Sequence, residues 1–177
     1  SEAGEHPDAA LARAAAPRAL ICLGSRRSRV NANSLHSRSR QMEPVDINGV
    51  EPAIVGDICE ALVAVEYIHD GKLVEAANVV FLRFSNQWHR LYFDFGIVFW
   101  RTDPVGPKAF VAPEIDSEFR VVDLGERLNF RGRRLLEVTY APLPNDGSAV
   151  GLRFDDKRTI TFRSVDDITT YAITSAV

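Results

Sequence analysis

The chain reads as a mainly β protein: an antiparallel meander sandwich or barrel of about eight strands. Three observations predict it. Short runs of β-branched and aromatic residues recur at close spacing, with turn chemistry between each pair. Asp70-Gly71 stands in a short loop between two apolar runs, the strongest local hairpin signal in the chain. In positions 91–101, Leu91, Phe93, Phe95, Ile97 and Phe99 are all large and apolar while the even positions are mixed. That is the period of a strand with one face in a core, and it predicts one long central strand. The competing architecture is α+β, with a single helix over 57–68 packed on a curved antiparallel sheet, because Ile58, Leu62 and Val65 also fit a helical period.

In chain order, positions 1–41 differ from the rest. They hold seven arginines and three acids, a net +4, and no Phe, Tyr or Trp. They are expected to be a basic leader, disordered or foreign to the native domain. Met42, the only methionine, marks the seam. The leader has three readings: a mis-set or appended start ahead of Met42, an organelle transit peptide, or a basic arm for nucleic acid or a membrane surface. Positions 42–177 form the expected single domain, with 14 basic and 21 acidic side chains, a net −7.

Within that domain, Pro44, Asn48-Gly49, Pro52 and Gly56 predict a turn-rich entry with room for a short edge strand. Positions 58–68 alternate as a strand, and Asp70-Gly71 returns the chain into a strand over 73–84. Ser85-Asn86-Gln87 turns it into the central stretch. Positions 102–117 hold Pro104, Gly106, Pro107 and Pro113 and read as a long loop. A strand at 119–122 is followed by a turn at 123–126 and by a hairpin pairing 128–130 with 133–141. The last three strands, 149–154, 158–165 and 168–173, are separated by Asp155-Asp156-Lys157 and Asp166-Asp167. Leu82-Arg83-Phe84 and Leu152-Arg153-Phe154 echo each other, and chance accounts for so short a match.

Motifs that carry a reaction are absent from the sequence: no phosphate-binding glycine loop, no Cys-x-x-Cys, no Gly-x-Ser-x-Gly and no His-Glu-x-x-His. No cofactor and no metal are implied. Cys59 reads as a buried, inert thiol. Glu66 and His69, three apart on a strand, fall on opposite faces and do not make a metal pair. Two constellations remain as candidate binding residues. Arg90, Tyr92, Asp94 and Trp100 share the second face of the central strand, a composition typical of binding hot spots. That face is otherwise covered by a second layer, with Asp94 paired to an arginine. Glu114, Asp116 and Glu118 share one face if that segment is extended.

An acidic domain without a catalytic set suits a binding protein that neutralises or escorts a basic protein partner. The alternatives are a small-molecule-binding barrel, with or without a reaction, using Arg90, Tyr92 and Asp94, and nucleic-acid contact through the arginine-rich leader. The acidic domain itself disfavours nucleic acid. Two cysteines make no disulfide framework, so a reducing, cytoplasmic setting is expected. No apolar run is long enough to span a membrane. Nothing in these residues selects an oligomeric state.

Overall fold

The structure is a computed structural model that describes residues 44–175; the leader and the Met42 seam lie outside the described residues. The strands are β1 (Ile47–Asn48), β2 (Cys59–His69), β3 (Lys72–Phe84), β4 (Gln87–Asp94), β5 (Ile97–Asp103), β6 (Phe110–Ala112), β7 (Ser117–Asp123), β8 (Leu135–Leu143), β9 (Gly147–Phe154), β10 (Arg158–Val165) and β11 (Ile168–Ser175). One helical turn, α1 (Leu124–Arg127), and a 3-10 turn, Pro113–Ile115, complete the described elements. The strands form a seven-stranded sheet in the order β1-β5-β4-β3-β2-β7-β6 and a four-stranded sheet in the order β11-β10-β9-β8. All pairings are antiparallel except β1 with β5. The two sheets stay separate and do not close into a barrel, so the sandwich reading of the sequence holds.

Positions 57–68 are strand, not helix. In β2 both alternating sets are apolar, Leu62 and Ala64 on one side and Val63 and Val65 on the other, and all four are buried. A strand flanked by β3 and β7 and covered on both faces shows no polar stripe, which is why a helical period also fitted it. Asp70 and Gly71 take φ of 50° and 68°, the left-handed pair that a tight hairpin demands.

Positions 91–101 are not one strand. They split into the end of β4 and most of β5 around a two-residue turn, with Phe95 at φ 49° and Gly96 at φ 74°. A two-residue turn pairs Asp94 with Ile97, Phe93 with Val98 and Leu91 with Trp100. Odd positions before the turn therefore share a face with even positions after it. Leu91, Val98 and Trp100 are buried in the core, Phe93 packs against it, and Phe95 stands 57% exposed at the tip. Ile97 and Phe99 move to the opposite face. The expected hairpin between 128–130 and 133–141 is absent too. Asp123 caps α1 by accepting the Glu126 N–H at 2.8 Å, and the chain turns through 128–134 into β8.

The core lies between the sheets. Leu62, Val80, Leu82, Leu91, Val98 and Trp100 face Val150, Leu152, Phe154, Ile160 and Phe162. At the seam between β3 and β11, the Glu75 carboxylate accepts the Thr169 N–H at 3.1 Å and the Asn78 amide at 2.9 Å. No helix of the described residues is long and apolar enough to cross a membrane.

Candidate functional site

Turns in this protein carry charge according to the end of the sandwich on which they fall. Antiparallel register fixes those ends. His69 pairs with Lys72 and with Ser117, which puts the β2–β3 turn beside the 3-10 turn. The β4–β5 turn lies at the same end, because β4 runs antiparallel to β3, from Gln87 opposite Phe84 back past Leu91 opposite Val80 toward the end where β3 begins. The Phe95 N–H donates to Asp167 Oδ1 at 3.2 Å, and Gly96 sits so close to the Asp146 carbonyl oxygen that a side chain there would collide with it. The β8–β9 and β10–β11 turns therefore join the same end. Asp70, Asp116, Asp146, Asp166 and Asp167 all have positive φ, and aspartate tolerates that conformation better than most residues. Turn geometry thus loads one end with carboxylates. Asp94, Glu114 and Glu118 add to it, against Lys72, Arg120 and Arg163. Arg120 bridges Glu118 at 3.3 Å, while Asp70, Asp94, Asp116, Asp146, Asp166 and Asp167 have no cationic partner among the described residues.

The opposite end is close to charge balance: four of its acids are ion-paired, and Asp57, Glu126 and Asp155, which make no ion pair among the described residues, are matched in number by Arg127, Arg134 and Lys157. Arg83 pairs with Glu60 at 3.1 Å, Arg131 with Asp123 at 2.6 Å, and Arg153 with Glu137 at 2.8 Å. Arg158 clamps Asp156 at 2.6 Å, donates to the Leu128 and Asn129 carbonyls at 2.7 and 2.8 Å, and lies over the Phe130 ring at 4.4 Å. Burial raises the Asp156 pKa, but the Arg158 hydrogen bonds and charge outweigh it and hold this carboxyl below its usual value.

Two depressions mark the acidic end. The first, of about 290 Å³, lies among the three hairpin tips and is lined by Phe95, Gly96, Asn145, Asp146, Gly147, Ser164, Asp166 and Asp167. The second, of about 340 Å³, lies where β6 and β7 meet the β2–β3 turn, lined by Ile68, Asp70, Gly71, Val111, Pro113, Asp116, Ser117 and Glu118. The Asp70 N–H donates to the Asp116 carbonyl at 3.0 Å and fixes the wall of the second.

The residues singled out from the sequence scatter over this frame. Arg90 and Tyr92 do share a face, but Trp100 does not. It is 1% exposed in the core, displaced by the parity flip at Phe95-Gly96, and its indole donates to the Tyr140 hydroxyl at 2.9 Å. Phe99 takes its place, stacked on Tyr92 at 4.8 Å. Arg90 and Arg101 flank the Tyr92 ring at 5.8 and 6.0 Å. Arg90 is spent on Asp103 at 3.0 Å, and Arg101 on the Asn48 carbonyl and side-chain oxygens. Gly106, in the connection from β5 to β6, lies against the Trp88 indole of the same face. This face is a layer of aromatic rings with Arg90 ion-paired and Arg101 hydrogen-bonded, and neither depression includes Arg90, Tyr92 or Asp94. Asp94 is exposed beside the hairpin tips. Glu114, Asp116 and Glu118 are not a row on a strand. Glu114 sits in the 3-10 turn, Asp116 at φ 49° beyond it, and Glu118 in β7. Asp116 and Glu118 do line the second depression.

The remaining reactive side chains are occupied or insulated. Burial pushes the Cys59 thiol up to about 12, with Asp123 and Glu60 adding repulsion against the attraction of Arg131. Burial lowers the His89 pKa. No group of three or more His, Cys, Asp or Glu among the described residues is placed to hold a metal ion. Sequence reasoning read Asp70, Asp146, Asp166 and Asp167 as ordinary turn residues. Only the strand order shows that their turns meet.

No family model, curated protein or solved structure matches this chain.

Proposed function

We propose that this domain is a binding module that presents its acidic end to a basic protein partner. The observation that supports this reading is the asymmetry of ion pairing. Glu60, Asp123, Glu137 and Asp156 at one end are neutralised by arginine, while six aspartates at the other have no cationic partner among the described residues. Exposed carboxylates left unpaired by their own fold raise the local potential, speed encounter with a cationic surface and reject anionic ones. The Cys59 burial and the arginine-filled face of Arg90 and Tyr92 favour binding over catalysis.

The test is titration of the protein with polylysine of defined length, polyglutamate serving as control, at low and high salt. Polylysine binding is expected to weaken by about tenfold between low and physiological salt. Asp146→Asn with Asp166→Asn should weaken it, while Asp155→Asn with Glu137→Gln at the far end should not. Equal loss from both pairs would refute a directional acidic end.

A further inference from the structure

We infer that the depression beside β6 docks an extended polypeptide segment in which apolar and basic residues alternate along one face, at every second position, laid against the open edge of that strand. The inference rests on the acidic-end reading and deepens it by naming the form of the partner.

Among the described residues β6 is the terminal strand of the seven-stranded sheet, bonded to β7 on one side only. An edge strand offers backbone donors and acceptors to an incoming strand, and such addition is a general mode of peptide recognition. Most edges are blunted by lysine, by a bulge or by a proline in the strand. β6 is Phe110-Val111-Ala112 and carries none of these within it; its protection is its three-residue length, with Lys108 before it and Pro113 after it.

Its side chains state what would fit. Register places Ile68, Glu118 and Val111 in one row across β2, β7 and β6. Val111 is 66% exposed and Ile115, one turn on, is 41% exposed. A strand added to β6 continues that row about 4.8 Å further out. An apolar residue there covers Val111. Basic residues two positions to either side fall on that same face and meet Asp70, Asp116 and Glu118, of which, among the described residues, only Glu118 has an internal cation, Arg120. Apolar burial and charge complementarity then act on one segment, with the main chain supplying directional bonds. The other face of β6 is already committed: Phe110 stacks on Phe119 at 4.2 Å, and Phe119 on Tyr67 at 5.2 Å. That stack holds the short edge strand in place without a partner.

The experiment uses the full chain and a capped peptide of about eight residues in which lysine and valine alternate along one face, at every second position, with threonine between. A peptide of the same composition with lysines and valines in separate blocks is the comparison. Binding is read by fluorescence anisotropy, and amide hydrogen exchange locates it. The alternating peptide should bind at least several-fold tighter and slow exchange in 110–112. Val111→Ser, which leaves the charge of this end as it is, should cost about tenfold in affinity for it. Equal affinity for both peptides, or protection that misses 110–112, would overturn the docking edge while leaving the acidic-end reading intact. Loss of polylysine binding in the wild-type chain would instead sink that reading and this one with it. A concentration-dependent dimer that Val111→Ser dissolves would assign the edge to a second copy and overturn the basic-segment proposal.

Discussion

The Trp100 indole N–H donates to the Tyr140 hydroxyl at 2.9 Å, a bond that joins β5 of one sheet to β8 of the other across the sandwich. Trp100 is among the largest fully buried side chains. Removing its acceptor leaves a buried donor without a partner, at a cost of about 1–3 kcal/mol. Tyr140→Phe should therefore lower the urea midpoint without changing the denaturant slope. Trp100→Phe should cost more, because it also leaves a cavity. A Tyr140→Phe protein with wild-type stability would show that the bond contributes nothing.

Gly96 adopts φ 74° with the Asp146 carbonyl against it. Any side chain must both enter the left-handed region and displace a neighbouring turn. Gly96→Val is expected to destabilise the fold by about 2 kcal/mol or more, a fall of several degrees in Tm. Gly71 has nothing within reach, so Gly71→Ala should cost only the conformational part, about 1 kcal/mol. Calorimetry on the two variants separates collision from conformation.

Glu75 sits half-buried at the seam between β3 and β11, and burial raises its pKa above the ordinary 4.5 despite the hydrogen bonds it accepts. A carboxyl whose pKa is higher folded than unfolded binds its proton more tightly in the native state. Its contribution is present below the unfolded value and is lost as pH rises through the folded one. The stability of wild type relative to Glu75→Gln should therefore decline as pH rises from about 4.5 toward neutrality. Asp103 is raised too, by burial opposed by Arg90, but it is common to both proteins and cancels. A difference that stays constant across that range would contradict this account.

Arg158 serves the Asp156 carboxylate and two carbonyls from one planar group. Lysine cannot reproduce that fork. Arg158→Lys should cost about 1–2 kcal/mol. Because Asp156 is held below its usual pKa, the stability it contributes is present at neutral pH and is lost as pH falls through its folded value. The penalty of Arg158→Lys should then shrink on acidification, measurable as converging urea midpoints.

Cys59 is fully buried with its thiol pushed up to about 12. Alkylation of the native protein at neutral pH, followed by peptide mapping, should leave Cys59 unmodified until denaturant opens the sandwich. Labelling at native concentrations of reagent would mean that the β2 end opens locally.

Much of this fold could be read from the chain, and the misses have physical causes. Asp70-Gly71, the turn at 85–86 and the Asp166-Asp167 return were legible because their residues favour left-handed φ. Phe95-Gly96 was missed because phenylalanine is an unusual occupant of that region. The alternation also ran unbroken across the turn: the outer face of β5 carries Ile97 and Phe99, as apolar as the inner face of β4. The Asp123-x-x-Glu126 cap was in plain view but too short a signal for one turn of helix. The candidate site was less legible. Single aspartates are chemically unremarkable, and their sum depends on which strands run up and which run down, a property of topology rather than of any local window.

The uneven pairing of charge also has a mechanical result. The unpaired carboxylates cluster at the Asp70, Asp146 and Asp166 turns, while the arginines near Asp123 and Asp156 are cancelled where they stand. Among the described residues the negative charge is thus weighted toward one end of the strand axis. In the field of any charged surface the molecule feels a torque as well as a force. Within roughly a Debye length, about 8 Å at physiological ionic strength, it turns its hairpin tips toward a cationic surface before any side chain touches.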